Sequence, residues 1–382
     1  MKSPVRVTDR HTFDTIIDAR SPAEFELDHI PGALNCPVLD NEERRIVGTL
    51  YKQVGAFEAR RIGGAMVAAN LARYLRGVFA ERPSNWKPLI YCWRGGMRSG
   101  AMTTWLRMVG WDAQQLAGGY KAWRRHVIDT ITTHAPILPL VVICGATGSG
   151  KTRILQALAA QGEQTLDLEA LARHKGSLLG ATPGVQQPSQ IAFETSIAAV
   201  IEKIDLSRPL FVEGEGARIG RLNVPVPLVE RMRASPCVEI MVSLPARLAF
   251  LLRDYAYLGD RPEWLAGQLE LLKPLHGKET IAAWQSMARL GNLSDLFGEL
   301  TTRHYDPAYS RSQRKHFYDW ANRRIITVDD LSEESVETLA RHVVATSVPG
   351  KPANRNSDTA NSPSIRTPIE FQMSDDGAET DT

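Results

Sequence analysis

The stretch "ILPLVVICGATGSGKTRILQALAA", Ile137 to Ala160, constrains the fold of this chain more than any other. An apolar run, a glycine-rich turn and a run with helical apolar spacing follow one another without interruption. An apolar run with no polar alternation reads as a strand buried on both faces, the situation of a parallel sheet covered by helices. The turn itself, "GATGSGKT", fits G-x-x-x-x-G-K-[ST] in the strand-then-helix context that the pattern requires. Gly145, Gly148, Gly150, Lys151 and Thr152 are therefore the expected phosphate-binding residues. Main-chain N–H groups and the helix N-terminus would hold phosphate oxygens, Lys151 would neutralise them, and Thr152 would ligate Mg²⁺ if a metal is used. The plain alternative is a glycine-rich turn with no ligand.

Further buried-strand candidates are "PLFVEGE", "VEIMVSL" and "RIITVDD", near helical patterns such as "ARLAFLLRDYAY" and "ESVETLARHVVA". They predict an α/β domain with a mostly parallel sheet over residues 136–347. "PLFVEGEGARIG" places Glu213 and Glu215 at a strand end, where such proteins commonly carry an acid for metal or water. A solvated turn is the other reading of both glutamates. Residues 348–382 are rich in Pro, Ser, Asn and Asp with few apolar side chains, and a disordered tail is expected there.

Upstream, from residue 8 to 133, short β-like runs ("TIID", "PLIYC") alternate with helical patterns such as "GAMTTWLRMVGW", where Trp105 and Val109 share a face. A smaller α/β domain follows from that. Its chemistry centres on "YCWRGGMRSG", Tyr91 to Gly100. A loop that wraps N–H groups around one point makes an anion-binding nest, and Cys92 at its head is the expected nucleophile. Gly95 and Gly96 permit tight curvature, while Arg94 and Arg98 add positive charge. A buried strand-end cysteine before a helix is the bland alternative. Cys-x5-Arg-Ser is also the spacing of cysteine-dependent phosphatases, so the loop alone leaves a chalcogen carrier and a phosphatase both open.

Composition sets the surroundings. The chain has 382 residues, enough for two cores, and 43% hydrophobic content is ordinary for soluble protein. With 45 basic and 43 acidic residues the net charge is +2, so any nucleic-acid surface must be a local patch. The basic candidate is "SRSQRKHFYDWANRR", with Arg311, Arg314, Lys315, Arg323 and Arg324 among aromatic residues; a solvated helix face is its other reading. Four cysteines lie far apart without a CxxC pair, which argues against zinc or a disulfide framework; Cys36, Cys144 and Cys237 read as structural. There is no signal-peptide core and no apolar run of membrane-spanning length, so a cytoplasmic protein is expected.

Around the cysteine loop stand "DARSPAEF", "HIPGA" and "LAGGYKAWR", and together these segments resemble a rhodanese domain over about 110 residues. In that family the loop cysteine carries a chalcogen, a role the resemblance gives to Cys92. The loop is one residue longer than the usual sulfurtransferase loop, which the resemblance associates with a larger oxyanion donor. Asp18 and Arg20 read as bracing for the loop. A rhodanese domain followed by a phosphate-loop domain resembles the tRNA 2-selenouridine synthase family. "NEERRIVGTLYKQVG", "DLEALARHKGSLLG", "QPSQIAFE", "EGEGARIG" and "HYDPAY" are further matches, with Lys175, Leu178 and Gly216 as departures.

That resemblance implies conversion of 2-thiouridine at the tRNA wobble position to 2-selenouridine through an S-geranyl intermediate. The implied substrates are geranyl diphosphate, its diphosphate on the phosphate loop, and selenophosphate, with selenium carried on Cys92. No tightly bound cofactor is expected, Mg²⁺ at Thr152 is the one candidate metal, and a monomer is expected. A sulfurtransferase or cysteine phosphatase fused to a nucleotide-binding or kinase module is the other functional class, and a regulatory binding module a third.

Overall fold

The computed structural model describes residues 5–177 and 179–347. The expected tail, 348–382, and Leu178 lie outside the described residues. In chain order the first part contains β1 (Thr15–Asp18), α1 (Pro22–Leu27), β2 (Leu34–Asn35), α2 (Asn41–Gln53), α3 (Ala56–Arg76), β3 (Pro88–Tyr91), α4 (Met97–Val109), β4 (Gln114–Gln115) and α5 (Gly119–His134). There follow β5 (Leu140–Cys144), α6 (Lys151–Ala160), β6 (Gln164–Leu166), α7 (Leu168–Ala172), α8 (Gln190–Ile201), β7 (Leu210–Glu213), β8 (Arg218–Ile219), β9 (Leu222–Asn223) and α9 (Val226–Arg233). The last part holds β10 (Cys237–Val242), α10 (Leu244–Asp254), α11 (Pro262–Leu269), α12 (Lys273–Arg289), α13 (Leu293–Leu300), α14 (Asp306–His316), β11 (Arg324–Val328) and α15 (Glu333–Ser347).

Two sheets result, both parallel throughout. The first has the order β2-β1-β3-β4 and the second β11-β10-β5-β7-β6, while β8 and β9 form a separate antiparallel hairpin. Every residue of β3, β5 and β7 is buried, as continuous apolar strands between helix layers should be. Ile17, Leu71, Phe79, Trp86, Ile90 and Leu106 centre the core around the first sheet. Ile143, Leu155, Phe211, Ile240, Ile326 and Leu339 do so around the second. On α4 the face shared by Trp105 and Val109 is exposed, and Met102 and Leu106 face the core instead.

The chain does not divide at one point. One compact unit comprises the chain up to Ile137 together with Glu169–Asp205 and Gly216–Val229; the other comprises Leu138–Leu168, Leu206–Glu215 and Glu230 onward. Segments that follow the phosphate loop in sequence thus belong to the unit that carries Cys92, whereas local periodicity suggested two consecutive domains, 8–133 and 136–347. The reason lies on α8, which packs along α5. The Thr195 hydroxyl donates to the buried Asp28 carboxylate at 3.0 Å, and the Ser189 hydroxyl donates to the Leu27 carbonyl. Arg124 on α5 pairs with Glu194 on α8. Burial pushes the Asp28 carboxyl up, and the Tyr120 and Thr195 hydroxyls and the His29 N–H are what it has in place of water.

Replacing Thr195 by Val keeps the shape and removes one donor from this buried acid, which should cost roughly 1–3 kcal/mol. At about 2–4 °C per kcal/mol for a unit of this size, the thermal midpoint should fall by several degrees. An unchanged midpoint for Thr195→Val would mean that this hydrogen bond does not anchor α8.

Candidate functional site

The cysteine turn is built from two directions. β3 ends at Tyr91 and α4 begins at Met97, so Cys92 to Gly96 form the connection. The N-terminus of α5 closes on it: the Tyr120 N–H donates to the Cys92 carbonyl at 2.8 Å and the Lys121 N–H to the Trp93 carbonyl at 3.0 Å. That approach requires glycine at 119, where φ is +56° and a Cβ would lie 2.5 Å from the Gly95 nitrogen. Gly95, with φ +67°, faces the same limit, since its Cβ would lie 2.7 Å from the Leu116 carbonyl. The Gln115 amide donates to the carbonyls of Gly95 (2.7 Å) and Gly96 (3.0 Å) and to the Ser99 hydroxyl (2.8 Å). These donors engage the loop's carbonyls, so what the loop can offer an anion is N–H.

Cys92 itself is 3% exposed, and the Ser99 hydroxyl donates to its sulfur at 3.1 Å. Ser99 was not singled out in the sequence, although the Arg-Ser pair of the loop motif contains it. Asp18 and Arg20 are buried and bidentate, with Arg20 Nε 3.0 Å and Nη2 2.6 Å from the carboxylate. Arg20 also donates to the Asp28 carbonyl at 2.7 Å and lies 4.0 Å over the Tyr120 ring. The pair therefore ties β1 to the start of α5. Arg98 does not direct its charge at the loop: its guanidinium is bidentate to Glu24, with the longer contact at 3.1 Å. Burial pushes the Glu24 carboxyl up, but the Arg98 hydrogen bond and charge outweigh it and hold the group below its ordinary range. Arg94 and Gly96 are exposed, leaving Arg94 as the loop's outward cation.

The other unit carries the phosphate loop. β5 ends at Cys144 and α6 begins at Lys151, and Gly145, Gly148 and Gly150 all have positive φ. At Gly148 a Cβ would meet Leu251 at 2.9 Å and the Arg247 carbonyl at 3.1 Å, so the loop is pressed onto α10. Lys151 Nζ donates to the Gly145 carbonyl at 2.8 Å, curling the side chain back over the loop. Ser149 is buried, and its hydroxyl oxygen has no hydrogen-bond partner within the protein. Glu213 is fully buried at the end of β7, opposite Ile143 in register, which rules out a solvated turn; Glu215 is half-buried. Glu213 and the Thr152 hydroxyl are hard oxygen donors of the kind that suit Mg²⁺, which takes one or two protein ligands beside substrate phosphates. Among the described residues no group of three or more His, Cys, Asp or Glu is assembled to hold a metal by itself.

Of three further residues around this loop, Arg247 gave no sequence signal, while Asp306 and Tyr309 lie in a segment quoted above without being singled out. Arg247, 7% exposed, donates to the Thr147 carbonyl at 3.1 Å and is bidentate to Asp306 at 2.8 and 2.7 Å. Asp306 belongs to "HYDPAY", and Tyr309 in the same motif is half-buried near Cys144, its phenol pushed up chiefly by burial. All four cysteines are free and buried; burial pushes the Cys36 thiol up to about 12 and that of Cys144 well up too, in keeping with structural roles.

The basic segment does not form one helix face. Arg311, Arg314 and Lys315 lie on α14, whereas Arg323 follows a short turn and Arg324 opens β11. Arg323 pairs with Glu239 and stacks 4.5 Å over Trp320, so its charge is already compensated. Arg311 and Arg324 are exposed.

Gly119→Ala tests the turn's construction. A Cβ in the contact between Gly119 and the cysteine loop should cost more than about 2 kcal/mol or displace the loop. A thermal midpoint and Cys92 alkylation rate both equal to the parent's would contradict the packing described above.

Comparisons with known proteins bear on both units. Residues 6–126 match the model of the rhodanese-like domain, and residues 138–265 match that of the tRNA 2-selenouridine synthase AAA domain. A tRNA 2-selenouridine synthase of Alcanivorax borkumensis is 37% identical over 281 residues, which cover 72% of this chain and 75% of that protein. One of Shewanella halifaxensis is 32% identical over 343 residues, 86% of this chain and 90% of that protein. With a rhodanese-like cysteine turn and a phosphate loop in one chain, and similarity over 75% and 90% of these two relatives, this protein belongs to the tRNA 2-selenouridine synthase family.

Proposed function

We propose that this chain converts 2-thiouridine at the wobble position of tRNA to 2-selenouridine in two steps, S-geranylation and then exchange of sulfur for selenium. The observation that supports this most is the presence of two glycine-bearing strand-to-helix turns with different side chains, Cys92 in one and Lys151 in the other. In the first step the thiocarbonyl sulfur attacks C1 of geranyl diphosphate; the S–C bond forms, the C–O bond breaks and diphosphate departs. The phosphate loop receives that leaving group: Lys151 exchanges the Gly145 carbonyl for a phosphate oxygen, and the buried Ser149 hydroxyl gains an acceptor. Mg²⁺ held by Thr152 and Glu213 would add charge neutralisation when bound.

S-alkylation makes C2 of the base electrophilic and turns sulfur into a thiol leaving group. The selenium of selenophosphate adds at C2 and geranylthiol leaves; water then cleaves the Se–P bond and inorganic phosphate departs, so that neither carbon nor chalcogen changes oxidation state. Cys92 is the residue assigned to this step, as a thiol on which no sulfur–selenium bond is formed, with Ser99 donating to its sulfur and Arg94 at the mouth of the loop. The work is done in the cytoplasm, where the RNA substrate resides.

Incubating variants with thiouridine tRNA, geranyl diphosphate and selenophosphate, then counting nucleosides by mass spectrometry, tests this assignment. Lys151→Ala should slow geranylation by on the order of a hundredfold or more, since a phosphate-neutralising group is worth a few kcal/mol in the transition state. Cys92→Ser should geranylate normally and make no selenouridine. Geranylation by Lys151→Ala at the parental rate, or normal selenouridine from Cys92→Ser, would overturn the corresponding site.

A further inference from the structure

One cluster in the Cys92-bearing unit has no part in the chemistry above. It is made by the loop after α7 and by the β8–β9 hairpin, with Gln187 between them. The Gln187 side-chain amide donates to the carbonyls of Ala172 (3.2 Å) and Ile219 (3.1 Å), and its side-chain oxygen accepts from the Arg221 N–H at 2.8 Å. The Arg221 guanidinium returns to the Gln187 carbonyl at 2.6 Å, and Arg218 Nε donates to the Gly220 carbonyl at 2.8 Å. These bonds fix the two arginines by one edge each and leave the rest of each guanidinium at the surface, for Arg218 and Arg221 are both exposed.

The adjoining loop is held in a conformation that its sequence does not favour. Arg173, also exposed, has φ +50° and is the only non-glycine residue with positive φ among the described residues. A bulky residue in the left-handed region costs of order 1 kcal/mol or more, and persists where its surroundings over-determine it. The surroundings do so here. Next to it His174 is 9% exposed and pressed against Gly220, where a Cβ would lie 2.8 Å from the imidazole. Its Nδ1 is buried without a hydrogen-bond partner within the protein. Burial lowers the His174 pKa, so the ring is neutral and the local charge comes from Arg173, Arg218, Arg221 and Lys175. In sequence the nearest acidic residues are Glu169, which precedes Arg173, and Glu215, which precedes Arg218.

We propose that Arg173, Lys175, Arg218 and Arg221, arranged around Gln187, form a contact surface for the sugar-phosphate backbone of the tRNA substrate. Guanidinium groups fixed along one edge present two N–H donors outward, the fork that suits a phosphodiester. The whole chain carries a net charge of only +2, so attraction for RNA must come from a patch such as this one. The Arg311–Arg324 segment is weaker in this respect, since Arg323 is neutralised by Glu239.

This surface rests on the reading that the substrate is tRNA, and the test separates the two. Fluorescence anisotropy with labelled thiouridine tRNA, over a series of salt concentrations, is measured for the parent, for Arg173→Asn/Arg218→Gln, and for Arg173→Lys/Arg218→Lys. Asn is chosen because it tolerates the left-handed backbone. Each lost phosphate contact should reduce the slope of log affinity against log salt by about 0.7–0.9, so the neutral pair should lower it by about 1.5 and weaken binding several-fold at low salt. The lysine pair, equally strained at 173 but still charged, should keep the parental slope. A parental slope in the neutral pair, or a slope reduced equally in the lysine pair, overturns the surface. Failure of the parent itself to bind tRNA overturns the underlying functional reading instead.

Discussion

Two buried charges hold the Cys92-bearing unit in register. Asp18 and Arg20 are almost fully enclosed, and an enclosed ion pair is stabilising only when every remaining donor and acceptor is met. Here Arg20 gives two bonds to the carboxylate and a third to the Asp28 carbonyl, and its flat face rests on Tyr120. Tyr120 in turn donates its hydroxyl to Asp28 and its main-chain N–H to the Cys92 carbonyl. Asp28 also accepts from Thr195, on a helix that lies far along the sequence. One connected network therefore sets strand β1, the cysteine turn, the start of α5 and the docking of α8. Removing either charge would leave the other buried without a partner, a loss usually worth several kcal/mol.

The cysteine turn and the phosphate loop follow the same physical plan. Each lies at the carboxyl end of a central parallel strand, where the backbone leaves the sheet and enters a helix, and each uses glycine to bring main chain against main chain. Crevices at this edge of an α/β sheet are where ligands generally bind. In the first turn the carbonyls are taken up by Gln115 and by the N-terminus of α5, and a sulfur nucleophile stands at the head. In the second a lysine is folded over the loop, with Arg247 and Asp306 bracing it from behind. On the proposed function, the first serves the selenium step and the second a diphosphate leaving group.

How much of this was legible depended on the range of the interaction. The strand, turn and helix around Gly145 to Thr152 are local, and the spacing of glycines and the lysine encodes them directly; the same holds for Cys92, Gly95 and Gly96. Glu213 was visible as a strand-end acid, but only its position opposite Ile143 shows that it is buried rather than solvated. Arg98 read as a loop cation because Glu24 lies 74 positions away, and Arg323 as an RNA contact because Glu239 lies 84 positions away. Local periodicity carries no record of which sheet a helix covers, so the return of Glu169–Asp205 and Gly216–Val229 to the first unit was not readable. Such pairings between distant segments are decided by which partners are brought together on folding.

If the proposed function holds, the two turns carry separable chemistries. The most direct measurement starts from the intermediate: tRNA already bearing S-geranyl-2-thiouridine is given to the Lys151→Ala and Cys92→Ser variants with selenophosphate and no geranyl diphosphate. Lys151→Ala should form selenouridine at the parental rate, because no diphosphate has to be held, while Cys92→Ser should form none. Failure of Lys151→Ala to convert the intermediate would show that the phosphate loop serves the selenium step as well, and the division of labour argued here would not stand.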